Sequence, residues 1–178
     1  MKLQDVAKRN PNAILIHSGI LFDVFNPKPE NLNVVDMAHA LSHLCRYGGH
    51  CPKFYSVAQH SVLCSYYPGT PKEQMEFLFH DTSEAYMVDL PRPIKKNLPQ
   101  YGQIEDNLLE VIFKHFNLDF PLTEGVHEVD NAMLHYEYNA FYTNPDPAFE
   151  FWTSEESKAK FLARYYELKT QIENELVA

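Results

Sequence analysis

The chain has 178 residues, 45% of them hydrophobic and 22% charged, with a formal net charge of −9; that is enough for one packed core, and the length fits a single domain over 1–178. The acidic balance excludes a protein that grips long nucleic acid through its backbone, which takes a basic surface, while a single nucleotide held by a metal and a few local cations stays open. Cys45, Cys51 and Cys64 form no C-x-x-C pair and leave an odd count, as free thiols in a reducing compartment would, and neither a secretory leader in Met1–Asn12 nor a run of about 20 apolar residues is found, so a cytoplasmic protein without membrane association is expected.

In chain order, residues 14–25 read as two short apolar runs about a Ser18-Gly19 turn, a small β-hairpin. After Pro27 and Pro29, Asp36 is expected to cap a helix with Met37, Leu41, Leu44 and Cys45 at helical spacing, stopped by Gly48-Gly49. Ser56 and Gln59 have capping-box spacing for a second helix that runs to Pro68-Gly69. Thr70-Pro71-Lys72-Glu73 combines a cap, a proline at the first helical position and a glutamate three residues after the cap, opening a helix through about Met87. Asp89-Leu90-Pro91-Arg92-Pro93 breaks it, since proline lacks an amide donor and restricts the residue before it. Three more helices follow at about 100–116, 123–141 and 154–176. The fold class is all-α: a helical bundle with a small N-terminal hairpin.

The sharpest chemical signal is Phe79-His80-Asp81-Thr82-Ser83-Glu84. On a helix, adjacent His80 and Asp81 lie about 100° apart and can reach one metal, while Glu84 sits one turn beyond His80 as a spare carboxylate. Imidazole with carboxylate suits one divalent ion such as Mn, Co, Fe, Ni, Zn or Mg. Taken alone the dipeptide is equally a polar pair on an exposed face. His60 weighs against that, because it lies on the preceding helix and a short turn packs the two helices together. Asp130, flanked by apolar residues, is the candidate second aspartate from a distant helix. His39 and His43 are spaced i, i+4 but have no carboxylate or cysteine to complete a second metal pair, so packing or surface roles are expected. His50 lies in the loop before His60, where it can touch phosphate. The tail aromatics Phe149, Phe151, Trp152, Tyr165 and Tyr166 read as helix packing or a subunit contact.

The ordered set Ser56-Val57-Ala58-Gln59-His60, Phe79-His80-Asp81-Thr82-Ser83-Glu84-Ala85, Asp89-Leu90-Pro91-Arg92-Pro93-Ile94-Lys95 and Val129-Asp130 resembles the HD-domain phosphohydrolase superfamily over about 36–140. Within it the chain is similar to the bacterial and phage nucleotidases that remove phosphate from deoxyribonucleoside monophosphates, and to prophage-encoded relatives. The resemblance implies metal ligands His60, His80, Asp81 and Asp130. It also implies Glu84 and Asp89 as acid/base groups, either one in either role, and Arg46 as the phosphate-binding arginine. Lys95 would add positive charge, and Tyr47 would pack on sugar or base or lie at the surface. Release of tripolyphosphate from a deoxynucleoside triphosphate by the same centre, and a catalytically silent nucleotide-binding module, remain as alternatives. Relatives that form dimers or larger assemblies leave self-association open.

Overall fold

A computed structural model describes residues 11–177. Strands β1 (Ala13–Leu15) and β2 (Leu21–Asp23) pair antiparallel, with Ile14 opposite Phe22. Gly19 takes φ +84° in the connecting turn, a value that costs glycine nothing. The helices are α1 (Val34–His43), α2 (Val57–Cys64), α3 (Pro71–Phe79), α4 (Glu84–Met87), α5 (Arg92–Lys95), α6 (Pro99–His115), α7 (Glu124–Tyr138) and α8 (Ser154–Val177). The protein is all-α with a small N-terminal hairpin. Among the described residues no helix is long and apolar enough to cross a membrane.

Helix starts follow the capping chemistry, with two corrections. Asn33, not Asp36, caps α1: its side chain accepts from the Asp36 amide, so Asp36 sits in the first turn. Ser56 caps α2 through the Gln59 amide, but the Gln59 side chain turns away to bond Glu150 O and Trp152 N, so the box is not reciprocal. Thr70 and Glu73 form the full reciprocal box at α3.

Helix ends fall earlier than the periodicity predicts. α1 stops at His43 because Cys45 leaves the helix to bridge Ser56. The helix expected through Met87 breaks after Phe79. There the Thr82 amide bonds Phe79 O and the Glu84 amide bonds Asp81 O, each three residues back, and the Thr82 hydroxyl and His80 Nδ1 take Phe79 O and Phe77 O. Such tightening turns the chain by about 120° per residue instead of 100°. His80 and Asp81 therefore project from a tight turn between α3 and α4.

One apolar cluster joins Phe22 of the hairpin to Met37 and Leu41 of α1, Val57 and Val62 of α2, and Leu78 of α3. It continues through Leu108 and Ile112 of α6 to Phe161 and Leu168 of α8. Each such side chain, fully buried, contributes about 1.5–3 kcal/mol. A second cluster packs α7 through Val126, Val129 and Met133 on Cys64 and Phe77. Arg164 of α8 reaches Ser65 O at 2.7 Å, Ser65 Oγ at 3.1 Å and Gln74 Oε1 at 2.9 Å, tying down the end of α2. With α2, α3 and α7 so held, their polar residues at the common face have little freedom.

Candidate metal centre

His60 of α2, His80 and Asp81 of the turn after α3, and Asp130 of α7 converge. His80 Nε2 lies 3.3 Å from His60 Nε2 and 3.2 Å from Asp81 Oδ2, and Asp130 Oδ1 lies 3.3 Å from His60 Nε2. The remaining imidazole-to-carboxylate separations are both 3.8 Å. Donors each about 2.1 Å from one ion stand roughly 3.0–3.4 Å apart, so the four atoms need only small adjustments to share a cation.

The rings are aimed by their other nitrogens. Phe77 O, which only accepts, lies 2.7 Å from His80 Nδ1, and Glu137 Oε1 lies 2.6 Å from His60 Nδ1. Each Nδ1 therefore donates, which leaves both Nε2 lone pairs pointing into the same space. Two facing lone pairs repel unless a proton or a cation lies between them. The field supplies the same demand. Burial disfavours charge on His60, yet Cys64, Glu137 and Asp130 outweigh it and hold its pKa well above the ordinary imidazole value. His80 is likewise disfavoured by burial but pushed up to about 9 by Asp81. Burial would raise Asp81 and Asp130, but the imidazoles hold both far below the usual carboxylate range. The site is a focus of negative potential with nitrogen and oxygen donors already placed, and it fits a divalent ion.

Cys64 also belongs to this neighbourhood. His60, Cys64 and His80 form a buried group whose ligand atoms lie within 4.8 Å of one another and that can hold a metal ion. The sulfur stands 3.5 Å from His60 Nε2 and 4.0 Å from Nδ1 of the same ring, so it packs beside the ring and not along its lone pair. The carboxylates complete the donor set more directly. Among the described cysteines Cys45 and Cys51 are half-buried free thiols.

A cavity of about 310 Å³ opens beside the donors, its lining including Arg46, Tyr47, Asp81, Glu84, Asp89, Arg92, Lys95 and Asp130. Glu84 is buried and its Oε2 has no hydrogen-bond partner among the described residues. Burial, then Asp81 and Asp89, push its pKa well above the usual range; burial raises Asp89 as well. Val88 aims Asp89 from φ +74°, ψ 155°, a conformation normally left to glycine, with the Tyr101 hydroxyl donating to Met87 O and Val88 O. Arg46 is buried, its NH1 3.4 Å from Asp81 Oδ2 and its Nε 3.5 Å from Glu137 Oε2. Lys95 lines the cavity while paired to Glu105 at 2.5 Å. Tyr47 lines it too, but its hydroxyl donates to Glu137 Oε2 at 2.7 Å. His50 is exposed and is not among the lining residues. His39 and His43 lie elsewhere: His39 stacks on His17 with ring centres 3.6 Å apart, and His43 Nδ1 is tied to His39 O. The tail aromatics Phe149 and Phe151, which lie before α8 and outside any helix, pack on Tyr55 and Phe141.

Sequence reasoning missed Glu137 and Arg92. Glu137 is fully buried and accepts from Tyr47 Oη, Tyr55 Oη (2.6 Å) and His60 Nδ1. The signal was present, because Glu137 lies seven residues after Asp130, two turns along the same face, and four after the core residue Met133. Arg92 NH2 lies 2.6 Å from Asp130 Oδ2; nothing in Pro91-Arg92-Pro93 foretells a partner 38 residues away.

No family model matches the chain. It is 41% identical over 106 residues to the uncharacterized protein YfdR of Escherichia coli, a match that takes in 59% of this chain and 58% of that relative. It is 26% identical over 181 residues to the uncharacterized protein RCAP_rcc00048 of Rhodobacter capsulatus, covering 85% of this chain and 92% of the relative.

Proposed function

We propose that the chain is a metal-dependent phosphohydrolase of the HD type that removes the 5′-phosphate from a deoxyribonucleoside monophosphate. The observation that carries this reading is the convergence of His60 Nε2, His80 Nε2, Asp81 Oδ2 and Asp130 Oδ1 at 3.2–3.8 Å, beside a cavity lined by the carboxylates of Glu84 and Asp89 and by Arg46, Arg92 and Lys95. Those four residues would hold one divalent ion, of the series Mn, Co, Fe, Ni, Zn or Mg, which when bound would neutralise phosphate charge and lower the pKa of a water.

The chain's own groups do the rest. Arg46, fixed between Asp81 and Glu137, presents a guanidinium at the cavity wall for phosphate oxygens. Glu84 lines the same cavity with its Oε2 free of hydrogen bonds to the described residues, and with a cation bound nearby to lower its pKa it would take the proton of the attacking water. Asp89 lines the same cavity, and burial raises its pKa, which favours it as the acid toward the leaving oxygen. Lys95 tempers the charge of the cavity through Glu105 and Glu84. Tyr47, bound to Glu137, shapes the wall and forgoes a free polar contact. The substrate is a small nucleotide. Free thiols and a nucleotide substrate support a cytoplasmic setting as part of the same proposal.

The test is product analysis on deoxy- and ribonucleoside mono- and triphosphates with added Mn, Co or Mg. Orthophosphate from deoxy-monophosphates supports the proposal. Tripolyphosphate from triphosphates moves it to the rival reaction, and binding without turnover moves it to a silent module.

A further inference from the structure

Asp130 divides its two oxygens between different tasks. Oδ1 faces the imidazoles, 3.3 Å from His60 Nε2, while Oδ2 receives Arg92 NH2 at 2.6 Å. The other arm of the guanidinium, NH1, donates to Asn131 Oδ1 at 2.8 Å, and Asn131 Nδ2 is itself anchored on His127 O. The fork is thus held to two neighbouring side chains of α7, and its plane is fixed. Arg92 is not a core residue: its side chain is 58% exposed, at the cavity wall, and it opens a short helix with Pro91 before it and Pro93 after it. An exposed arginine spends conformational entropy when pinned at both ends, so its worth has to be sought in what it does to Asp130.

We infer that Arg92 is a positioning residue that keeps Asp130 a one-oxygen ligand, reserving the remaining places around the ion for water and phosphate. A carboxylate with both oxygens free closes readily on a divalent ion through both of them. Hydrogen bonding Oδ2 to a guanidinium removes that option and leaves Oδ1 alone toward the ion. The same cation, near the ion, also lowers the affinity for it, so a stronger hold on the metal is given up for open positions. This inference rests on the metal site of the proposed function.

The experiment uses Mn2+ as the probe, with the full chain after chelation and with Arg92→Met and Arg92→Lys beside it. Mn2+ affinity is read by paramagnetic resonance of the free ion, and the number of waters on bound Mn2+ by water-proton relaxation. Arg92→Met is expected to bind Mn2+ several-fold more tightly with fewer bound waters, and Arg92→Lys, which keeps a donor and the charge, to lie between it and the parent. A residue with a merely structural role would instead weaken Mn2+ binding when removed. Weaker or unchanged binding with unchanged hydration in Arg92→Met overturns the role of Arg92 and leaves the metal site standing. Absence of Mn2+ binding by the parent chain overturns both.

Discussion

His60 and Glu137, 77 residues apart, meet through a 2.6 Å contact between Nδ1 and Oε1, and both side chains are fully buried. The carboxylate also receives Tyr47 and Tyr55 hydroxyls and lies 3.5 Å from Arg46 Nε, so one residue of α7 fixes a candidate ligand imidazole and the Arg46 guanidinium together. Burial would raise its pKa, but His60 and Arg46 hold it at about 2, so it is ionised throughout the physiological range. Partners of this kind set the tautomer and basicity of a ligand histidine, and their loss costs about 10–100-fold in metal affinity. Glu137→Gln is expected to weaken Mn2+ binding by that order in a calorimetric titration. Tyr55→Phe, which removes one of the hydroxyls and leaves the carboxylate, should have a smaller effect. Equal affinities for Glu137→Gln and the parent would deny the coupling.

Metal affinity should rise with pH. Without an ion, His80 is held up at about 9 and His60 is also above its ordinary value, so the imidazole pair favours a proton where an ion would sit. An ion needs both Nε2 lone pairs, so binding expels protons and is favoured as pH rises, levelling once pH passes the imidazole values. Each displaced proton changes affinity by up to about tenfold per pH unit. Titrations at pH 6 and pH 8 in buffers of different ionisation enthalpy are expected to register proton release at both, with tighter binding at pH 8. Affinity independent of pH would contradict the arrangement of the donors.

Val88 stands at φ +74°, ψ 155°, a region nearly confined to glycine and costing other residues about 1–3 kcal/mol. Its side chain is half exposed, so little burial is lost on truncation. Val88→Gly gains the strain energy and gives up about 0.4–1 kcal/mol through the greater freedom of the unfolded chain. A net stabilisation of about 1 kcal/mol is expected by urea unfolding, while Val88→Ala, strained as before, should show no gain. A less stable Val88→Gly would remove the claim that strain is stored beside Asp89.

Thr70→Ala removes one half of the capping box at α3, whose groups are solvent-exposed and not among the residues lining the cavity. The expected cost is about 1 kcal/mol of stability with metal affinity unchanged. Loss of metal binding in step with stability would mean that α3 frays as far as His80.

The legibility of the chain was uneven for physical reasons. Local chemistry was readable: the hairpin about Gly19, the Thr70–Glu73 box and the helices near residues 100, 124 and 154 all follow from spacing and caps. The break after Phe79 was not, because Thr82 and His80 compete for carbonyls three residues back only in the folded turn, and periodicity of the apolar residues runs through it. At the site, His60, His80, Asp81 and Asp130 are brought together from the positions that the motifs suggested, and Arg46, Glu84 and Asp89 stand around them. What escaped was the supporting layer. Glu137 and Arg92 act on His60 and Asp130 across 77 and 38 residues, through contacts that no local pattern encodes, and Lys95 is spent on Glu105 in a pairing invisible along the sequence.

The central claim is that one ion at the four-donor cluster enables hydrolysis of a nucleoside monophosphate ester. The direct measurement is orthophosphate release from deoxyadenosine monophosphate by chelator-treated protein titrated with Mn2+, beside His80→Ala/Asp81→Ala checked for folding by circular dichroism. The account predicts that turnover appears with about one Mn2+ per chain and is absent from the folded double variant. Turnover that survives chelation, or persists in the double variant, would contradict it.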